Sequence, residues 1–209
     1  MKSMAEIFRS HAVFNEAGQH INGTDKQSNH HYGDAYESLF SDRDAVQLVM
    51  EVGVADGSCL CAWRDIFPNA LVVGMDIHPS DRAHGERIEF HLGDQRSRKD
   101  CERAAAGRQF DMIVEDAVHW TDHTLLTLYW LWPYVKPGGI YVVEEWEGVG
   151  GDRDRIRALW PNLVEIIGTS GPHIADEPLV VFRKPKWPDG KVVIGATSNV
   201  ESLSVCLDD

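Results

Sequence analysis

The sequence predicts an α/β fold in which helices flank a central, mostly parallel sheet. Three observations carry this. Short apolar runs of strand length, at residues 47–54, 71–77, 87–92, 110–114 and 140–143, alternate with helical patterns, the rhythm of β-α-β units. The first run passes straight into a glycine-bearing turn, Ala55-Asp56-Gly57-Ser58, that opens a helix. Two neighbouring runs, 110–114 and 140–143, end in acidic pairs, Glu115-Asp116 and Glu144-Glu145. Ligands in open parallel sheets sit at the carboxyl ends of the strands, so these acids are expected to converge on a site.

Bulk properties narrow the classes. A chain of 209 residues with 43% hydrophobic content supports one domain with a full core. The expected division is an N-terminal arm and lid segment (1–40), a catalytic domain (41–185) and a C-terminal tail (186–209). A net charge of −13 opposes nucleic-acid binding, which needs a basic face. No apolar run is long enough to span a bilayer, and no secretory leader pattern opens the chain. Cys59, Cys61, Cys101 and Cys206 lack CxxC spacing and read as free thiols in a reducing cytoplasm.

In order along the chain, residues 1–18 carry no assignable pattern. Residues 21–40 (INGTDKQSNHHYGDAYESLF) begin with a turn at Asn22-Gly23, and Asp34 is expected to cap a helix. Their mix of hydrogen-bonding groups and aromatics suits a segment folding over a pocket. Residues 47–54 form the first long strand. The pattern Glu51-x-Gly53-x-x-x-Gly57-Ser58 follows, then a helix over 59–67 ended by Pro68. Glycines let backbone approach a ligand closely, and the helix start offers free N–H donors. The pattern is not G-x-G-x-x-G, which disfavours a nicotinamide dinucleotide. Strand 71–77 carries Asp76 near its end, placed to accept from ribose hydroxyls. Strand 87–92 leads to Asp94 and Gln95, whose groups match an adenine edge.

A charged, alanine-rich helix over 96–107 precedes strand 110–114. Beyond it, His119 lies three residues after Asp116, and His123 one helical turn further. Glu115 points away from Asp116 if the pleat continues. A helix over 121–135 is expected to stop at Lys136-Pro137-Gly138-Gly139, before strand 140–143. A helix over 153–160 and strands at 163–167 and 179–182 complete a seven-stranded sheet. Residues 192–194 offer a further strand or a packing surface in the tail.

Taken together, EVGVADG (51–57), Asp76, Gly93-Asp94, FDMIVED (110–116) and KPGG (136–139) resemble the Rossmann-like class I S-adenosylmethionine-dependent methyltransferases. GTDK (23–26), Asp116-x-x-His119-x-x-x-His123 and LWPYVKPGGIYVVEE (131–145) are similar to the metal-dependent sugar O-methyltransferases of natural-product pathways. The resemblance spans residues 21–184. It implies cofactor contacts from Glu51, Gly53, Gly57, Ser58, Asp76, Ile77, Asp94, Gln95 and Lys26. It implies a magnesium ion on Asp116, Glu144 and Glu145, with His119 as general base; the helical spacing adds His123 as a second catalytic candidate, a further base or a substrate-orienting residue. The family's usual Glu-Asp after the second acidic strand reads Glu-Glu here, and its D-D-G-S-H loop reads E-D-A-V-H.

The implied reaction is methyl transfer from S-adenosylmethionine to a sugar hydroxyl of a glycoside or oligosaccharide, such as a rhamnoside or mannoside. A sugar hydroxyl is a weak acid, so a cation that acidifies it and an imidazole that takes the proton form a sensible pair. Trp120 and Trp146 flank the expected site as stacking surfaces for a sugar face. Two other readings stay open: a catechol or phenol O-methyltransferase, and a non-catalytic S-adenosylmethionine-binding partner. Neither nucleic acid nor membrane is an expected partner, and a homodimer is possible.

Overall fold

The structure, a computed structural model, describes residues 1–146, 160, 163–168 and 178–186. Helix α1 (Met4–Ser10), strands β1 (Ala12–Phe14) and β2 (His20–Gly23), and helix α2 (Tyr32–Leu39) precede the main sheet. The sheet is built from β3 (Leu48–Val52), β4 (Leu71–Asp76), β5 (Ile88–Leu92), β6 (Phe110–Glu115), β7 (Val135–Val143), β8 (Val164–Ile167) and β9 (Leu179–Arg183). Its order is β5-β4-β3-β6-β7-β9-β8. The five strands β3 to β7 run parallel, and β9 pairs antiparallel with both β7 and β8. The expected seven-stranded, mostly parallel sheet is therefore present.

Each sheet face is covered because β3, β4, β6 and β7 are apolar on both sides. One face packs on α1, α2 and α3 (Ser58–Ile66), through Phe8, Tyr36, Leu60, Trp63 and Ile66. The other packs on α4 (Arg98–Ala105) and α5 (Thr121–Leu131), through Cys101, Ala104, Leu131 and Tyr141. Chain order reverses between β3 and β6, and the crevice above that reversal is where this class of sheet seats a ligand.

Several local expectations change. Residues 1–18, unassigned from sequence, contain α1, closed by a capping box in which Ser3 and Glu6 satisfy each other's backbone N–H groups. Phe8 is fully buried and meets Trp63 edge-on at 4.9 Å. The hairpin turn lies at Asn15 to Gly18, where Gly18 N–H donates to the Asn15 carbonyl; Asn22-Gly23 sits within β2. Helix α2 starts at Tyr32, ahead of Asp34, with His31 as the preceding left-handed residue. Helix α5 ends at Leu131 and passes through a 3-10 turn, Trp132–Tyr134. Lys136-Pro137-Gly138-Gly139 belongs instead to the start of β7, where the register with β6 shifts between Phe110 and Met112. Pro137 has no N–H for a ladder, so an irregular strand opening accommodates it. The expected helix over 153–160, apart from Trp160, and the tail residues 192–194 lie outside the described residues. No described helix is long and apolar enough to cross a membrane.

Candidate active site

The site begins with the β3 exit. Gly53 takes φ +84, and its N–H donates to the Met75 carbonyl at 2.8 Å. A Cβ there would lie 2.2 Å from the Asp116 carbonyl oxygen. The glycine thus lets the β3 turn and the β6 exit touch, backbone to backbone. On the other side, Asp76 closes the turn: one carboxylate oxygen accepts from Val54 and Ala55 N–H groups, the other from His78.

These exits frame a cavity of about 620 Å³, within the usual range for small-molecule sites. Its wall includes Gly53, Asp76, Ile77, Asp94, Gln95, Asp116, His119, Trp120, His123 and Glu145, together with residues 23–26 from the N-terminal segment. Ile77 is exposed there, as an apolar face for a bound ring requires. Gly57, Ser58, Glu51 and Glu144 are not part of that wall. Ser58 is 1% exposed, donating its hydroxyl to Asp56 and accepting from Arg82. Gly57 faces Ser80 and Ala83 instead. Gln95 reaches the cavity, yet its side-chain NH₂ donates inward to Glu115 and Thr127, so it does not present that donor to an adenine edge. Asp94 is gripped by the Arg96 guanidinium, which, with the Arg96 backbone N–H, holds its carboxyl below the usual range.

The acids separate into an outer and an inner group. In the outer group, Asp116, His119 and Glu145 each offer a ligand atom, all within 4.8 Å of one another. His119 Nε2 stands 3.7 Å from a Glu145 carboxylate oxygen, and its buried Nδ1 has no hydrogen-bond partner among the described residues. Both His119 (φ +61) and Glu145 (φ +47) hold left-handed backbone, which costs a residue with a side chain roughly 1–2 kcal/mol. The fold sustains that strain where these two side chains face the cavity, a common property of functional sites. Glu145 also pairs with His30 at 2.9 Å, and His30 pairs with Asp25 at 3.3 Å. Burial opposes a charge on His30, but hydrogen bonds to Asp25 and Glu145 outweigh it and raise its pKa to about 11. Burial also opposes a charge on Asp25, but the hydrogen bond to His30 and the charges of His30 and Lys26 draw its pKa down to about 2.

The inner group is buried beneath. Lys26 is 1% exposed, and its Nζ lies 2.9 Å from Glu51, 2.7 Å from Asp116 and 2.7 Å from Glu144. Burial disfavours its charge, but Asp116, Glu144 and Glu51 hold it well above the usual lysine range. Burial pushes Glu51 and Glu144 upward against the pull of Lys26. Glu144 also accepts from the Tyr36 hydroxyl, and Glu51 from Trp63 Nε1 at 3.1 Å.

This corrects three expectations from sequence. Glu144 is not beside Glu145 in the cavity: past the end of β7 its carboxylate turns inward to Lys26 and Tyr36, whereas Glu145, in left-handed backbone, faces the cavity. Glu51 lies below the cavity, and Lys26, although part of the cavity wall, turns its ammonium to Glu51, Asp116 and Glu144. Trp146 is a core residue, 6% exposed, with its indole N–H donating to Thr121; Trp120, 59% exposed, does stand at the rim, 5.2 Å from the His123 ring. Glu115 is buried on the far side of β6, as its pleat position required. Sequence reading placed His30, Asp25 and Tyr36 only within the lid segment, without individual roles, and missed Arg96. The first three lie in the polar, aromatic stretch over 21–40, whereas no pattern marks Arg96.

A sheet of this order, with a glycine turn after its central strand and an acidic residue ending the next, has the class I methyltransferase fold. The comparisons agree. Demethylmacrocin O-methyltransferase of Streptomyces fradiae is 34% identical over 120 residues, covering 51% of this chain and 30% of that protein. The 8-demethyl-8-alpha-L-rhamnosyl tetracenomycin-C 2'-O-methyltransferase of Streptomyces olivaceus is 33% identical over 132 residues, covering 59% of this chain and 35% of that protein. The chain thus spans about a third of the length of the curated relatives it matches. Among solved structures, MycE methyltransferase from the mycinamycin biosynthetic pathway, in complex with Mg, SAH and mycinamycin VI, aligns with a TM-score of 0.66 at 21% identity, over 88% of this chain and 54% of that one. No family model matches the chain.

Proposed function

We propose that this chain carries S-adenosylmethionine-dependent, magnesium-assisted O-methyl transfer to a sugar hydroxyl of a small glycoside. One observation carries the reading. Asp116, His119 and Glu145 converge at the ends of two adjacent strands, on the wall of the same cavity that Gly53 and Asp76 line. The relative named as a 2'-O-methyltransferase of a rhamnosyl tetracenomycin supports the acceptor class.

The donor set fits the metal. Magnesium is commonly held by one or two carboxylates with water and substrate oxygens completing its shell, and Asp116 with Glu145 supplies two. Imidazole is a poorer partner for magnesium than oxygen is, which leaves His119 for proton transfer. When bound, magnesium acidifies an acceptor hydroxyl and S-adenosylmethionine supplies the electrophilic methyl group. Asp116 and Glu145 would hold the cation. Asp76, Ile77 and the β3 turn would bind the nucleoside part of the cofactor. His119 accepts the proton of the acceptor hydroxyl on Nε2, the nitrogen facing Glu145. Trp120 offers an exposed apolar face at the rim for one side of a sugar ring.

The test is a panel of unmethylated glycosides and catechols, incubated with S-adenosylmethionine with and without chelator. The expected result is transfer to glycosides alone, lost on chelation. His119→Ala is expected to slow transfer by about 10²- to 10⁴-fold, the usual contribution of a general base. Transfer to catechols only, or transfer indifferent to chelation, would overturn the proposal.

A further inference from the structure

The inner group does something the outer group does not need for chemistry. Lys26 Nζ donates hydrogen bonds to Asp116 and Glu144 and forms an ion pair with Glu51 Oε1 at 2.9 Å, so three carboxylates surround one ammonium. At 1% exposure, the Lys26 ammonium is committed to these carboxylates. Glu144 is equally committed: one oxygen faces Lys26 and the other accepts from Tyr36, at 1% exposure. Glu51 divides its oxygens between Lys26 and Trp63. Asp116 alone belongs to both groups. Its Oδ2 meets Lys26, and the residue also lines the cavity beside His119 and Glu145.

Two buried carboxylates and a partly buried third, clustered this closely, need a cation. Such a cluster of hard oxygens is also what a divalent ion seeks. The chain supplies the cation itself, from a position 90 residues before Asp116 and 118 before Glu144. We propose that Lys26 is a built-in cation occupying the inner half of a divided acidic cluster, so that the site seats one divalent ion on Asp116 and Glu145, with Glu144 serving as Lys26's partner rather than a ligand. Lys26 is then a positioning residue: it aims Asp116 and denies the inner carboxylates to a second ion. This rests on the metal-assisted reading above and deepens it.

Manganese titration of the purified full chain, followed by the loss of the free-ion paramagnetic resonance signal, tests the inference without turnover. The wild type is expected to bind one ion. Glu144→Gln and Glu51→Gln, which both alter a Lys26 partner, are expected to weaken that ion alike, and less than Asp116→Asn and Glu145→Gln do. Lys26→Met, which bares three carboxylates, is expected to bind two ions. The inference is overturned if Glu144→Gln weakens manganese as much as Asp116→Asn while Glu51→Gln does not, or if folded Lys26→Met binds a single ion with wild-type affinity. Should Lys26→Met fail to fold by circular dichroism, the comparison of Glu144→Gln with Glu51→Gln decides. A wild type that binds no manganese would instead overturn the metal reading itself.

Discussion

Among single residues, His30 has the most distinctive electrostatics. It joins Asp25 to Glu145 and so ties the N-terminal segment to the outer acids. Its folded pKa, about 11, lies far above the ordinary 6.5. A raised pKa contributes stability that is fully present below the unfolded value and is lost as pH rises through the folded one. In metal-free protein, the melting-temperature gap between wild type and His30→Gln should be widest near about pH 6 and narrow steadily toward about pH 9. A gap that widens with pH over that range would mean that the imidazole is held neutral. The low pKa of Asp25 acts at the other end, its contribution fading as pH falls from the ordinary carboxylate value of 3.8 toward about 2.

At the scale of elements, the contact between two turns governs the site. The β3 turn and the β6 exit approach so closely that only hydrogen fits on Gly53. Gly53→Ala combines a left-handed φ with a backbone clash, so it is expected to destabilise by more than about 1 kcal/mol and to displace Asp116. Thermal unfolding and manganese affinity should therefore fall together; loss of one without the other would show that the two turns are not coupled. These strands and their acidic ends were legible in the sequence because buried parallel strands are continuous apolar runs. The side on which each acid leaves its strand was harder. Glu115 could be placed from the pleat of β6, whereas Glu144-Glu145 lie past the end of β7, where the left-handed backbone of Glu145 breaks the alternation and the family pattern groups both acids. The Lys26 contacts were invisible for another reason: they reach residues 25, 90 and 118 positions away, and no local period records such a pairing. The end of α5 was misjudged because Pro-Gly-Gly is a common helix stop, whereas here Pro133 in the 3-10 turn follows the true end and the glycines open β7.

For the whole molecule, the consequence lies at the N-terminus. Residues 21–40, read as folding over a pocket, supply a wall of the cavity and the cation beneath it, and residues 1–18, which offered no readable pattern, supply part of one core. Phe8→Ala removes a fully buried ring packed on Trp63 and Tyr36, and is expected to cost about 3–5 kcal/mol of unfolding free energy. A cost below about 0.5 kcal/mol, typical of surface changes, would mean that α1 is only loosely attached. The buried Lys26 has a further effect, on how the sequence is free to vary. A neutral residue at 26 leaves three carboxylates facing one another, and a neutral residue at 51 or 144 leaves the ammonium short of an acceptor. Each change is harmful alone and tolerable beside another, so drift at position 26 is expected to proceed in concert with 51 or 144, as linked substitutions rather than independent ones.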